Sequence, residues 1–255
     1  MKAGVKRQSG TTGHLQDTEI RFLLAAPARV PTLRPVTSVK AASRIDRFEF
    51  ERRFWALGLR VAGVDEAGRG PLAGPVMAAA AVLPPHWDLT GLPSELEGLN
   101  DSKQLTPEER ERFFAVLTTR ADVQFAVAGL DSQEVDRWNI LEATHRAMDN
   151  ALAQLRPAPQ HVLVDGLRVK SLRFPQTPLV EGDARSYSIA AASVITKVTR
   201  DRLMVEFDRQ WPAYGFAGHK GYCTPQHLAA IEAHGPCPIH RRSFSPFRPV
   251  EQNLL

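Results

Sequence analysis

The chain has only two cysteines in 255 residues, Cys223 and Cys237. That is too few for a disulfide framework at this size, and a reducing, cytoplasmic setting is the expectation. No run of about 18 apolar residues occurs, which excludes a membrane-spanning helix. The apolar stretch 22–26 (FLLAA) is too short and starts too late for a secretory signal core. There is no GxxxxGK[ST] loop, so P-loop nucleotide chemistry is excluded, and no Ser/His/Asp or Cys/His triad for covalent catalysis is evident. What is present is a 43% hydrophobic and a 24% charged fraction. That supports one large domain, with or without appendages.

The formal net charge of +4 is unevenly spread. Residues 1–60 carry 12 Lys+Arg against 5 Asp+Glu, residues 61–164 carry 8 against 15, and residues 165–255 carry 12 against 8. Such a body meets a polyanion through local patches in its C-terminal third, or through metal ions, rather than through bulk charge. Residues 1–43 lack a steady hydrophobic period, hold Pro27, Pro31 and Pro35, and have only Asp17 and Glu19 as acids. They are expected to form a disordered basic extension, with a targeting peptide as the alternative.

Periodicity predicts helices over 45–57, 106–119, 132–155 with a break near Asn139, 186–210 and 225–234. In the first, Ile45, Phe48, Phe54, Trp55 and Leu57 form the expected buried stripe. Strands are expected over 61–65, 76–83, 122–130, 161–165 and 178–181, with 84–105 as loop. Neighbouring strands followed by strand–helix alternation imply a mixed α/β sheet with helices on both faces.

The stretch 61–76 (VAGVDEAGRGPLAGPV) carries the densest chemical signal. Two adjacent acids, Asp65 and Glu66, repel each other, and hard divalent cations such as Mg²⁺ favour carboxylate oxygens. The turn Gly68-Arg69-Gly70 offers open backbone N–H groups and one guanidinium, which suits a phosphate or sugar edge. An ordinary turn after a strand would also use such residues. Gly63 and Asp65 share one face of the strand. The strand is expected to end at Asp65, leaving Glu66 to act from a turn or through its carbonyl. Asp165 closes a second buried strand, where it is either a ligand or part of a plain turn. Asp201 lies far along the helix, with Lys197, Ser193 and Ala190 at i−4, i−8 and i−11. It is either carried towards the other acids or solvated between Arg200 and Arg202. Four carboxylates on two strand ends and one helix match what a two-metal phosphodiesterase needs.

Residues 219–240 contain His219, Cys223, His227, His234, Cys237 and His240. Their spacing departs from paired-Cys zinc patterns. Lys220, Tyr222, Arg241, Arg242 and Phe244 interleave cations with aromatics, as a nucleic-acid backbone site does. The competing reading is a packed C-terminal cap in which the histidines only hydrogen-bond.

Seven ordered strings resemble the ribonuclease HII (type 2 ribonuclease H) family of bacteria. They are 61–76, NDSKQLTPEER (100–110), NILEATHRAM (139–148), VLVDG (162–166), GDARSYSIAAASVITKVTRD (182–201), GHKGYCTPQH (218–227) and HRRSF (240–244). The resemblance implies an RNase H-like mixed five-stranded sheet flanked by helices, as a catalytic domain over 44–211, with a small helical substrate-binding region over 212–255. It implies an endonuclease that hydrolyses the RNA strand of RNA–DNA hybrids and incises 5′ to single ribonucleotides in duplex DNA. The products would carry 3′-hydroxyl and 5′-phosphate ends.

By the same resemblance, Asp65, Glu66, Asp165 and Asp201 would be catalytic and hold Mg²⁺ or Mn²⁺. Gly68, Arg69 and Gly70 would sense the 2′-hydroxyl, and Tyr222 would stack on the following deoxy sugar. Lys103 and Lys197 would contact phosphate or balance charge. Glu181 and Thr196 depart from the residues common in the family at those places. The expected form is a monomer acting on nucleic acid without a membrane. The alternatives are a catalytically silent nucleic-acid-binding module of the same fold and a DNA nuclease or resolvase.

Overall fold

The computed structural model describes residues 46–247. The expected extension over 1–43, Ile45 and the end of the chain after residue 247 lie outside them. In chain order the elements are α1 (Glu49–Trp55), β1 (Val61–Ala67), β2 (Val76–Val82), α2 (Trp87–Thr90), α3 (Pro107–Thr119), β3 (Gln124–Leu130), α4 (Ser132–Trp138) and α5 (Ile140–Gln154). They continue with β4 (His161–Asp165), β5 (Gln176–Leu179), α6 (Gly182–Arg185), α7 (Tyr187–Gln210), α8 (Phe216–His219) and α9 (Pro225–His234).

The five strands form one mixed α/β sheet in the order β3-β2-β1-β4-β5. β1 pairs antiparallel with β2 and parallel with β4, while β2–β3 is antiparallel and β4–β5 parallel. Helix starts follow local chemistry. Thr106 and Asp131 each close a reciprocal capping box with the glutamate three residues on. Asn139, at φ 65°, breaks α4 from α5 at the expected place, and its side-chain oxygen accepts from the N–H groups of Leu141 and Glu142.

β2 shows why this sheet needs small residues. Its even positions Ala78 and Ala80 pack towards α5, with Ala143, Ala147 and Ala151. Its odd positions Ala79 and Ala81 pack towards α3 and α7, with Phe113, Ala191 and Ile195. A strand covered on both faces is apolar throughout, and alanine lets both helical layers come close. Gly63 on β1 is tighter still. A Cβ there would lie 2.2 Å from the carbonyl carbon of Ser188 and 2.3 Å from the nitrogen of Ile189, so α7 rests directly on the strand.

Four expectations need correction. Leu57 does not join the buried stripe of α1 but is exposed beyond the helix end, and Phe50 is buried in its place. β1 does not stop at Asp65 but runs to Ala67, because Glu66 and Ala67 pair with Ala78 and Met77. β5 covers Gln176–Leu179 rather than 178–181, since its register is set by β4, with Val162 opposite Gln176. Val180 is exposed, and Glu181, at φ 54°, turns the chain out of the sheet into α6. The segment 84–105 is not all loop, as α2 and a 3₁₀ turn at Ser94–Leu96 bury Trp87 and Leu96. No helix among the described residues is long and apolar enough to cross a membrane.

Gly63→Ala should lower stability by about 3 kcal/mol, since the obstacle is backbone that cannot rotate away. Urea unfolding checks this, and a loss below about 1 kcal/mol would mean that α7 does not lie so close.

Candidate active site

The side of β1 that meets α7 carries Asp65 two residues beyond Gly63. Close packing therefore brings α7 side chains over Asp65. Thr196 Oγ1 donates to the Asp65 carbonyl at 3.2 Å, and the hydroxyls of Ser193 and Ser102 meet at 2.8 Å. A cavity of about 250 Å³ opens at the carboxyl ends of β1 and β4. Its lining includes Asp65, Glu66, Gly68, Arg69, Gly70, Lys103, Asp165, Lys197 and Tyr222. Nine of the ten residues expected in the site thus share one cavity wall.

Burial, then the charges of Glu66 and Asp165, raises the Asp65 carboxyl well above the usual carboxylate range. Burial also raises Glu66, against the pull of Arg69, whose Nη1 stands 3.2 Å from Glu66 Oε1. Asp165 accepts the N–H of Gly182 at 2.7 Å. Among the described residues no three His, Cys, Asp or Glu side chains converge closely enough to hold a metal ion unaided. The acids line a common wall and feel one another's charge.

The tenth residue, Asp201, is elsewhere. It lines a neighbouring pocket and accepts from Lys197 Nζ at 2.9 Å. Ser193 is the α7 residue over Asp65, and eight further residues of helix carry Asp201 about 12 Å beyond it along the axis. The small residues do bring α7 onto the sheet, but the helix outruns the acids.

Asp183 was missed. It is buried on α6, directly after the Gly182 N–H that binds Asp165. Its carboxyl is pushed up to about 6 by burial and by the charge of Asp165, with Asp101 adding to the rise. Lys103 Nζ stands 3.7 Å from Asp183 Oδ2 and 4.0 Å from Asp101 Oδ1. Burial depresses the Lys103 ammonium, but Asp101, Asp65, Asp183 and Asp165 together raise it. A usable signal was an acid just after the strand that neighbours β4, since that strand must end beside Asp165.

The Gly68–Gly70 turn is shaped from beneath by two buried arginines. Arg241 donates from Nε to the Gly74 carbonyl (3.0 Å), from Nη1 to Arg69 (3.0 Å) and Pro71 (2.9 Å), and from Nη2 to Gly68 (2.6 Å). Arg200 donates to Pro75 (3.0 Å), Ala73 (3.1 Å) and Lys220 (3.1 Å). Gly68 has φ 94°, and a Cβ there would lie 2.1 Å from Arg200 Nε. The peptides at Arg69 and Gly70 are trans. With the carbonyls of Gly68 and Arg69 drawn inward, the N–H groups of Arg69 and Gly70 point away from Arg241. Arg241 is thus no surface cation for a nucleic-acid backbone, as its place in the basic run predicts. It is fully buried, and burial and the charge of Arg200 push it down to about 9.

A sequence model of the ribonuclease HII family matches residues 62–246. The chain belongs to the ribonuclease HII family. It is an endoribonuclease of the ribonuclease H type, a phosphodiester hydrolase. It is 54% identical over 200 residues to the ribonuclease HII of Geobacillus thermodenitrificans, covering 78% of this chain and 74% of that one. It is 50% identical over 196 residues to that of Syntrophotalea carbinolica, covering 76% and 90%. The crystal structure of ribonuclease H2 from Pyrococcus horikoshii superposes with a TM-score of 0.62 at 31% identity, over 74% of this chain and 96% of that one. The RNase H-like fold expected from the motifs is the fold observed.

In this chain the His/Cys run is a packed cap. Cys237, His227 and His240 are buried, and Cys223 is exposed and unpaired. Burial, then His227, lowers the His240 imidazole to about 4.

Arg241→Met keeps most of the volume but strands four buried carbonyls. Urea unfolding should show a loss of at least about 3 kcal/mol. For His240, the unfolded chain binds the proton first as pH falls below about 6.5, so the native state loses stability between there and about 4. The stability advantage of the natural chain over His240→Gln should therefore shrink by about 2 kcal/mol between pH 7 and pH 5. Paired urea titrations at the two pH values measure it.

Proposed function

We propose that this chain cuts the RNA strand of RNA–DNA hybrids and incises 5′ to single ribonucleotides in duplex DNA, leaving 3′-hydroxyl and 5′-phosphate ends. The observation that carries this reading is the pairing, in one cavity, of clustered acids with an outward-facing backbone turn. Gly68-Arg69-Gly70 offers N–H donors and the half-exposed Arg69 guanidinium, while Asp65, Glu66 and Asp165 stand beside it. Donors without Cβ bulk can approach a 2′-hydroxyl, the one group by which a protein tells RNA from DNA at a given position. The Tyr222 ring lies 3.8 Å from where a Gly70 Cβ would be and is 44% exposed. That suits stacking on the sugar after the ribonucleotide.

The donor chemistry fits a pair of Mg²⁺ or Mn²⁺ ions. The set is oxygen-only and self-repelling, with Asp65 buried and Glu66 and Asp165 half-buried, and Asp65 and Glu66 are held above their usual range until a cation relieves them. Asp65, Glu66 and Asp165 would hold the ions, with Asp183 rather than Asp201 as the fourth acid. Bound divalent ions supply activation of the attacking water and charge stabilisation at the leaving oxygen. Lys103 and Lys197 add positive charge where phosphate must enter, and Asp201 restrains Lys197. Arg69 bridges to Glu66 and is free to exchange that partner for a sugar edge. A catalytically silent binder would gain nothing from buried carboxylates facing a phosphate. The two unpaired cysteines suit a reducing cytoplasm.

A duplex carrying one ribonucleotide, incubated with Mg²⁺ or Mn²⁺ and mapped on a sequencing gel, should show a single cut on its 5′ side. Asp65→Asn and Asp183→Asn should each lower the rate more than about 100-fold, and Asp201→Asn less than about tenfold. The reverse order of Asp183 and Asp201 would restore the helix acid to the site.

A further inference from the structure

The C-terminal cap contains three histidines whose hydrogen bonds admit one arrangement of protons. The backbone N–H of Cys237 donates to His240 Nδ1 at 2.9 Å, so that nitrogen carries a lone pair. The His240 proton is therefore on Nε2, which meets His227 Nε2 at 3.0 Å. His227 Nε2 must accept, which leaves its proton on Nδ1, and this donates to the Tyr222 carbonyl at 2.9 Å. The third, His219, accepts the Gly221 N–H at Nδ1 (3.1 Å) and meets the Tyr214 carbonyl at Nε2 (2.8 Å). Its ring stacks on His227 at 4.4 Å.

Two of these bonds end on one turn, Lys220-Gly221-Tyr222: His219 accepts the Gly221 N–H, and His227 donates to the Tyr222 carbonyl. Lys220 and Gly221 have φ values of 54° and 84°. The Lys220 carbonyl is held by Arg200, and the Gly221 carbonyl accepts the N–H of Leu72 at 2.8 Å. A left-handed, non-glycine backbone is maintained only where its surroundings over-determine it. Here the histidines and Arg200 do so, and the residue presented at the end of the turn is Tyr222, beside Gly70 at the mouth of the acid cavity.

We infer that His227 and His240 form a directional relay of neutral imidazoles that positions Tyr222 for the substrate. The inference rests on the reading of Tyr222 as a contact to the sugar next to the cut. His227 and His240 are positioning residues. Neither lines the cavity, and their effect passes through the Tyr222 carbonyl. The relay also explains why two imidazoles are buried edge to edge, Nε2 against Nε2, with no carboxylate partner among the described residues. Each offers the other the complementary nitrogen, so neither needs to be charged.

The test is a double-mutant cycle on a duplex with one ribonucleotide, with thermal unfolding of every variant alongside. His227→Leu removes both hydrogen bonds of His227, to the Tyr222 carbonyl and to His240. It should lower kcat/KM about tenfold in the natural background and less than about twofold in a Tyr222→Ala background. His227→Asn places an amide N–H where Nδ1 stands and should recover most of the loss. If His227→Leu does not fold, the same cycle with His240→Leu applies, with His240→Gln as the variant that recovers. An equal loss in both backgrounds, or no recovery by Asn or Gln, overturns the relay while leaving the role of Tyr222 in place. Full activity of Tyr222→Ala by itself overturns the substrate contact and the positioning inference together.

Discussion

The candidate site depends on two guanidiniums that are buried with no carboxylate partner among the described residues. Between them Arg200 and Arg241 engage the carbonyls of residues 68, 69, 71, 73, 74, 75 and 220. A buried charge of this kind is tolerable only if nearly every N–H is used, and a loop of glycines and prolines is one of few structures that can turn so many carbonyls to one point. The constraint acts in both directions. The arginines need the loop for solvation, and the loop needs the arginines to hold its carbonyls inward and its N–H groups outward. Because Arg200 comes from α7 and Arg241 from the segment after α9, the same bonds tie the sheet, its longest helix and the C-terminal region to one turn.

Electrostatic balance follows from that arrangement. Positive charge lies under the turn while Asp65, Glu66 and Asp165 line the cavity in front of it. Burial and mutual repulsion hold Asp65 and Glu66 above their ordinary range, a cost that a bound cation or substrate contact relieves. Such strain in charge is characteristic of functional sites, where pKa values are shifted for use. The small-residue face of α7 belongs to the same design. Only where Gly63 meets the backbone of Ser188 and Ile189 can Ser193 and Thr196 reach Asp65.

Much of this was legible from the chain. The β1–β2 hairpin, the break at Asn139, the start of α7 at Ser186 and the acid-rich turn all come from local chemistry: apolar runs, caps and glycines. The errors share a different cause. Glu66 lies within the strand because β2 is long enough to pair with it. β5 begins where β4 requires, and α6, four residues long, is too short for any period to reveal. Helical spacing favours Asp201 over Asp183 because it identifies which residues share a face but not how far along that face the sheet extends. Arg241 reads as a surface cation because a basic run looks the same in sequence whether its members face solvent or carbonyls.

The sequence by itself determined the family, the order of the elements and the chemical types at the site, since apolar period, capping residues and the seven ordered strings are properties of neighbours along the chain. Tertiary structure alone decided which acids share a cavity, which arginines are buried and which protons the histidines carry. Those are matters of distance between residues up to 173 positions apart, set by how closely α7 packs on β1 and where it runs past the end of the strand.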